Sequence, residues 1–246
     1  MTPRVLVLAG LDPSGGAGLL ADAEAIRAGG GRPLGCATAI TVQTTRAVRR
    51  FEALAASLVI EQATALLEED GPIAAVKLGM LGSPEIAAAV AQILGRDGRL
   101  VGVPWVIDPV LKASSGATLG AAVRAYDALF AIGGAIVTPN VPEAAALAER
   151  PVPEDEAALV ACARALLDRG PAAVIAKGGH LPGEPADLVV TPGGVTRLPG
   201  MRRPGTRRGT GCRFASALAT ALARGGSLDE AARVAKAHVA AYLDAG

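Results

Sequence analysis

The stretch Arg208-Gly209-Thr210-Gly211-Cys212 opens an apolar segment with helical spacing. Glycines let a backbone turn several N–H groups toward one point, and a helix N-terminus adds partial positive charge there. Such a nest suits a phosphoryl group as negative charge builds on it. Cys212 falls in the first turn of that helix, where a thiol's pKa tends to fall. The same residues also suit a plain glycine-rich loop with a small cysteine packed as a hydrophobe.

Three other clusters carry polar chemistry. Gly10-Leu11-Asp12-Pro13-Ser14-Gly15-Gly16-Ala17-Gly18 is followed by Asp22. It matches neither GxxxxGK[ST] nor GxGxxG, and the missing lysine excludes a P-loop nucleotidase. Its glycines allow a ligand close to the backbone. Asp22 is expected on the first turn of the next helix, where a carboxylate is also favoured by the dipole alone. Asp108-Pro109-Val110 and Asn140-Val141-Pro142-Glu143 could hold Mg²⁺ through water and phosphate oxygens. Asn140 and Glu143 equally suit a helix cap, and both roles can coexist. Lys177-Gly178-Gly179-His180 leaves a buried strand at a place suited to a nucleotide phosphate. His180 reads as a loop residue, His238 as structural or exposed, and Cys36 and Cys162 as core.

The elements that must position these residues alternate along the chain. Continuous apolar runs predict strands at 5–9, 34–42, 74–78, 103–107, 135–138 and 172–176. Helices are expected at about 19–28, 53–69, 84–94, 119–130, from 142, from 154, at 211–223 and at 228–243. The spacing of 187–190 and 195–198 predicts an antiparallel hairpin at a sheet edge. Strands alternating with helices imply a mainly parallel sheet, covered on both faces. Asp12, Gln43, Asp108, Asn140 and Lys177 then all follow strand C-termini, the edge where open α/β sheets bind ligands.

Composition narrows the classes. The chain has 246 residues, 51% apolar and only 2% aromatic, which suits closely packed layers and argues against an all-β sandwich. We expect one domain, 1–246. A net charge of +1 speaks against a nucleic-acid surface. The basic cluster Arg202, Arg203, Arg207 and Arg208 lies beside glycines without interleaved aromatics, and suits a small anion. Three scattered cysteines indicate neither a zinc site nor a disulfide framework, hence a reducing, cytoplasmic setting. The apolar run at the start meets Asp12 too soon for a signal peptide or membrane span.

The order AGLDPSGGAG…AD, TAITVQTT, VKLGML, DPV, TPNVPEA, KGGH and GTGC resembles the hydroxymethylpyrimidine/phosphomethylpyrimidine kinases of thiamine biosynthesis, in the ribokinase-like superfamily near the pyridoxal kinases. The resemblance runs over nearly the whole chain. It implies an α/β ribokinase-like three-layer sandwich, with a mainly parallel central sheet and an antiparallel edge. It also implies a homodimer, and two transfers from ATP with Mg²⁺. By the same likeness Asp22 and Gln43 hydrogen-bond an aminopyrimidine, in a pocket lined by Gly10, Met80 and Val110. Asp108, Asn140 and Glu143 organise Mg²⁺ and phosphates, and Lys177 lies near the nucleotide. Gly209, Thr210 and Gly211 form the anion hole. Cys212 takes the place of the aspartate base of many superfamily members.

Three positions depart from the family pattern: Arg208 in place of histidine, Arg213 in place of a small hydroxyl residue, and no lysine before Ser115-Gly116. The two arginines are extra cations at the phosphate loop, which could favour a more anionic acceptor or compensate for the lost lysine. Rival readings are a pyridoxal or related hydroxymethyl-heteroaromatic kinase, and a catalytically weak pyrimidine-binding regulatory protein. A dinucleotide-dependent oxidoreductase and a Cys212 acyl-transfer enzyme are more distant.

Overall fold

The structure, a computed structural model, describes residues 2–44, 47–69, 71–111, 123–202 and 207–245. Its centre is strand β1 (Arg4–Leu11), buried along nearly its whole length. Side chains alternate across a strand. Leu6 and Leu8 therefore enter one apolar core, and Val5, Val7 and Ala9 another. Two-sided burial is why this run has no polar alternation.

Among the described residues nine strands form one sheet, in the order β3-β2-β1-β4-β5-β6-β7-β8-β9. Strands β2 (Arg32–Gln43), β4 (Ile73–Leu78), β5 (Trp105–Ile107), β6 (Ala135–Val137) and β7 (Ala173–Lys177) continue the parallel run on both sides of β1. Strands β8 (Ala186–Thr191) and β9 (Gly194–Pro199) form the expected antiparallel hairpin at one edge.

At the other edge β3 (Val48–Ala53) pairs antiparallel with β2, which the sequence reading missed. The helix expected from Ala53 consequently starts later, as α2 (Ala56–Glu68). The helix expected at 119–130 lies partly outside the described residues. Its remainder is a 3₁₀ turn, Val123–Tyr126, running into the short α4 (Asp127–Phe130).

Helices cover both faces. On one side lie α2, α3 (Pro84–Gln92), α4, α5 (Val141–Leu147) and α6 (Glu156–Leu167), around Trp105, Tyr126 and Phe130. On the other lie α1 (Gly18–Ala28), α7 (Thr210–Ala223) and α8 (Leu228–Asp244). There small residues such as Ala215, Ala219, Ala231 and Ala235 let the helices approach closely. Each large apolar side chain so buried contributes about 1.5–3 kcal/mol.

Backbone hydrogen bonds continue past the strand ends and build the site's rim. Gly79 N donates to Leu8 O, Asp108 N to Leu78 O, Thr138 N to Ile107 O and Lys177 N to Pro139 O. These bonds bring Asp108 and Lys177 to one rim, with Asn140 bridged to Lys177.

Candidate active site

Helix α7 opens at this rim with Gly209 as its N-cap, in a left-handed conformation (φ 73°). A Cβ at Gly209 would run into the carbonyl oxygen of Gly16, so only glycine fits between the two loops. Among the described residues no side chain caps α7. Its first-turn N–H groups are those an anion would complete. Gly211 faces Lys177 and Asp108: a Cβ there would lie 3.2 Å from Lys177 Nζ and 3.6 Å from each Asp108 oxygen.

Lys177 Nζ lies 3.2 Å from Asp108 Oδ1. Burial works to lower the lysine's pKa, but Asp108 and Glu143 outweigh it and hold the group charged. Glu143 forms a capping box with Asn140: its Oε2 accepts from Asn140 N at 2.8 Å, and its own N donates to Asn140 Oδ1 at 2.9 Å. Burial pushes the Glu143 carboxyl up to about 7, with Asp108 adding to the rise and Lys177 and Asn140 opposing it. Among the described residues no cluster of three or more metal-ligating side chains occurs. Asp108 with Glu143 still fits magnesium, which commonly takes one or two carboxylates and fills its other positions with water and phosphate oxygens.

Asp22 sits in the second turn of α1, not the first as expected, because the helix begins at Gly18. It is fully buried. Lys77 Nζ lies 2.8 Å from both of its oxygens, and Ser216 Oγ donates to Oδ1 at 2.8 Å. Burial lifts the Asp22 carboxyl above its ordinary value, against Lys77 and Ser216, which favour the charged form. Burial likewise disfavours charge on Lys77, yet Asp22, Cys212 and Asp108 hold its pKa above the ordinary lysine value. An ammonium that only donates, placed evenly on two oxygens, makes this a charged pair. Lys77 and Ser216 were missed in the sequence. The available signal was a lysine inside the apolar run Ala74-Ala75-Val76-Lys77-Leu78.

Cys212 overturns one expectation. Burial pushes its thiol up to about 11, although Lys77 and the Gly18 N–H pull it down. Loss of solvation outweighs the helix end. Cys36 and Cys162 are core residues, as expected.

Gly10, Met80 and Val110 come together. Met80 and Ala39 form a small buried cluster, flanked by Val48, Phe51 and Val110. A Cβ at Gly10 would meet Met80 Sδ at 3.0 Å. Val48 and Phe51 belong to the overlooked β3 and were not anticipated.

The described arginines of the basic cluster turn to different partners. Arg208 reaches the end of β2: Nη2 donates to Gln43 Oε1 at 3.1 Å and Nη1 to Thr44 O at 2.5 Å. It also faces Asp12 Oδ2 at 3.5 Å. Asp12 in turn clamps the first glycine loop, accepting from Ser14 N, Ser14 Oγ and Ala17 N. Arg213, read above as an extra cation at the phosphate loop, is buried; it bonds Gly16 O and Glu24 Oε2. Arg207 and Arg213 each lie 3.9 Å from the centre of the Tyr242 ring. Arg202 bonds the carbonyls of Gly179, Leu181 and Gly183. Arg203 lies outside the described residues, as does the segment with Lys112, Ser114, Ser115 and Gly116.

A covered parallel sheet whose rim turns an uncapped helix end toward a lysine and two carboxylates defines an α/β phosphotransferase of the ribokinase-like kind. Residues 12–246 match the family model described as phosphomethylpyrimidine kinase, and the chain belongs to that family. It is 38% identical over 250 residues to the hydroxymethylpyrimidine/phosphomethylpyrimidine kinase of Rhizobium meliloti (strain 1021), covering 100% of this chain and 92% of that one. The Streptomyces coelicolor protein of the same name is 37% identical over 250 residues, covering 99% and 90%. Among solved structures, phosphomethylpyrimidine kinase from Clostridium difficile 630 superposes with a TM-score of 0.79 at 31% identity, covering 98% of this chain and 99% of that one. Staphylococcus aureus pyridoxal kinase in complex with AMP-PCP and pyridoxal gives 0.86 at 27% identity, covering 99% and 88%. The chain is thus a kinase of thiamine biosynthesis. Among the described residues no helix is long and apolar enough to cross a membrane.

Proposed function

We propose that the chain transfers the terminal phosphoryl group of ATP to the hydroxymethyl oxygen of 4-amino-5-hydroxymethyl-2-methylpyrimidine, and then to the resulting monophosphate. The observation that carries this reading is the convergence of the uncapped α7 N-terminus with Lys177 and Asp108. Backbone N–H groups of Gly209, Thr210 and Gly211 would hold the phosphoryl group in flight, and Lys177 would neutralise charge on the nucleotide. Magnesium, bound by Asp108 and Glu143, would screen the phosphate oxygens. Asn140 fixes Glu143 through their shared cap.

The two acceptors ask different things of Cys212. A hydroxymethyl oxygen must lose a proton, and the Cys212 thiolate would take it. A thiol held up to about 11 is rarely ionised at neutral pH but is strongly basic when it is. A phosphate acceptor is already anionic and needs positioning rather than a base. Gly10, Met80 and Val110 would wall the ring, with Gln43 as its polar contact; the Asp22 oxygens are fully buried and already taken by Lys77 and Ser216.

The S. aureus complex with AMP-PCP and pyridoxal supports both a nucleotide donor and a heteroaromatic acceptor for this fold. Pyridoxal is for that reason the second acceptor to test. A cytoplasmic homodimer completes the reading. Exposed Ile40 and Val42 on β2 support self-association, which light scattering would check.

The deciding experiment incubates the protein with Mg-ATP and, separately, the hydroxymethylpyrimidine, its monophosphate or pyridoxal, following ADP release and product mass. Mono- and diphosphate products from the pyrimidines support the reading. Pyridoxal turnover alone moves the protein to the neighbouring kinases. Binding without turnover of any of them makes it a regulatory protein.

A further inference from the structure

Gln43 ends β2 opposite Val48, which packs on the apolar cluster of Met80 and Ala39, and a carboxamide can face a ligand with either end. Its two flips present opposite chemistry, a donating NH₂ or an accepting oxygen. Here the choice is made by a neighbour. Arg208 carries only donors, so the Gln43 atom 3.1 Å from Nη2 must be the oxygen. That leaves Nε2 as the end without a partner among the described residues.

Arg208 is itself held from several directions. Its other nitrogen donates to Thr44 O at 2.5 Å, Asp12 stands 3.5 Å away, and Tyr242 Oη donates to its backbone carbonyl at 3.1 Å. Asp12 also lies close enough to offset its charge.

We infer that Arg208 is a positioning residue that locks the Gln43 carboxamide with its NH₂ toward the acceptor. The site then selects heteroaromatic rings that offer a hydrogen-bond-accepting ring nitrogen at that edge. This rests on the proposed reaction and deepens it, by assigning the polarity of one recognition contact and the residue that imposes it.

The test compares wild type with Arg208→Met, Arg208→Lys and Gln43→Glu. Each is assayed with the hydroxymethylpyrimidine and its two analogues in which one ring nitrogen is replaced by C–H. Wild type should prefer the pyrimidine over one of the analogues by about tenfold in kcat/KM, the worth of one buried hydrogen bond. Arg208→Met should raise the acceptor KM about tenfold and reduce that preference to less than about threefold, with kcat falling less than about threefold and the KM for ATP unmoved. Arg208→Lys, which also only donates, should keep part of the preference. Gln43→Glu should lose it with Arg208 still present, which covers the case in which Arg208→Met fails to fold.

A rise in the KM for ATP, or a large drop in kcat at constant acceptor KM, would place Arg208 on the phosphates and overturn the inference. Equal treatment of pyrimidine and both analogues by wild type would also overturn it. If wild type turns over no pyrimidine, the reaction reading fails separately. Calorimetric affinities for the same three compounds then decide the Arg208 inference, and absence of binding or of a preference counts against it.

Discussion

Lys77 Nζ lies 2.8 Å from each carboxylate oxygen of Asp22, and both side chains are fully buried. The pair joins β4 to α1 within electrostatic reach of Cys212. Removing one partner of such a pair leaves an uncompensated buried charge, which costs about 3–5 kcal/mol. Lys77→Met should therefore lower stability by that amount in urea unfolding. Lys77→Met with Asp22→Leu should cost much less than the two single changes together. A single-variant loss below about 1 kcal/mol would mean that the pair is not ionised.

The Cys212 thiol, held up to about 11, should be slow to alkylate. At pH 7 its rate with iodoacetamide should be roughly 100-fold below that of an unperturbed cysteine, and it should rise about tenfold per pH unit up to pH 10. Peptide mass spectrometry would find the early label at Cys212, which keeps some solvent contact, whereas Cys36 and Cys162 are buried. A plateau near pH 8 would contradict the burial argument.

Gly209 combines a positive φ with a neighbour in the way of any side chain. Gly209→Ala should cut kcat/KM about 100-fold by displacing the α7 N-terminus from the Gly16 loop. Gly102, with φ +75° and open space around it, separates strain from collision. Gly102→Ala should cost about 1 kcal/mol and leave kcat/KM as it was. Equal effects of the two substitutions would remove the special role of Gly209.

Glu143 gives a pH signature. Its folded pKa of about 7 stands above the ordinary 4.5. Between those values the folded chain binds more protons than the unfolded one. The contribution of the protonated group is complete below about pH 4.5 and is lost as pH rises through 7. A shift of this size corresponds to about 3 kcal/mol. Without magnesium, wild-type Tm measured against Glu143→Gln should fall progressively from pH 5 to 8. Parallel Tm profiles for the two proteins would refute this.

Much of the site was legible because parallel strands announce where polar residues must gather. Asp108, Asn140 and Lys177 each follow an apolar run, and the runs share one direction. Strand β3 was not legible. Its Val-Arg-Arg-Phe-Glu-Ala sequence buries no residue fully and offers no clean alternation. The roles of Arg208 and Arg213 could not be read either, since cations beside a glycine loop look alike until their partners are known. Those partners, Gln43, Glu24 and the Tyr242 ring, lie far away in sequence. Lys77 was hidden by the opposite bias, a charge passed over because its neighbours were apolar.

The contacts that complete the site span most of the chain. Asp22 meets Lys77 55 positions on and Ser216 194 positions on; Gln43 meets Arg208 across 165, and Gly16 meets Arg213 across 197. Each closes a long loop before any bond rewards it, so contacts of this kind slow folding. Helices and the central sheet can therefore form while the catalytic rim is still open. On dilution from denaturant, recovery of turnover should lag behind recovery of far-ultraviolet circular dichroism. For this molecule, having its secondary structure and being able to work should then be separate moments in time.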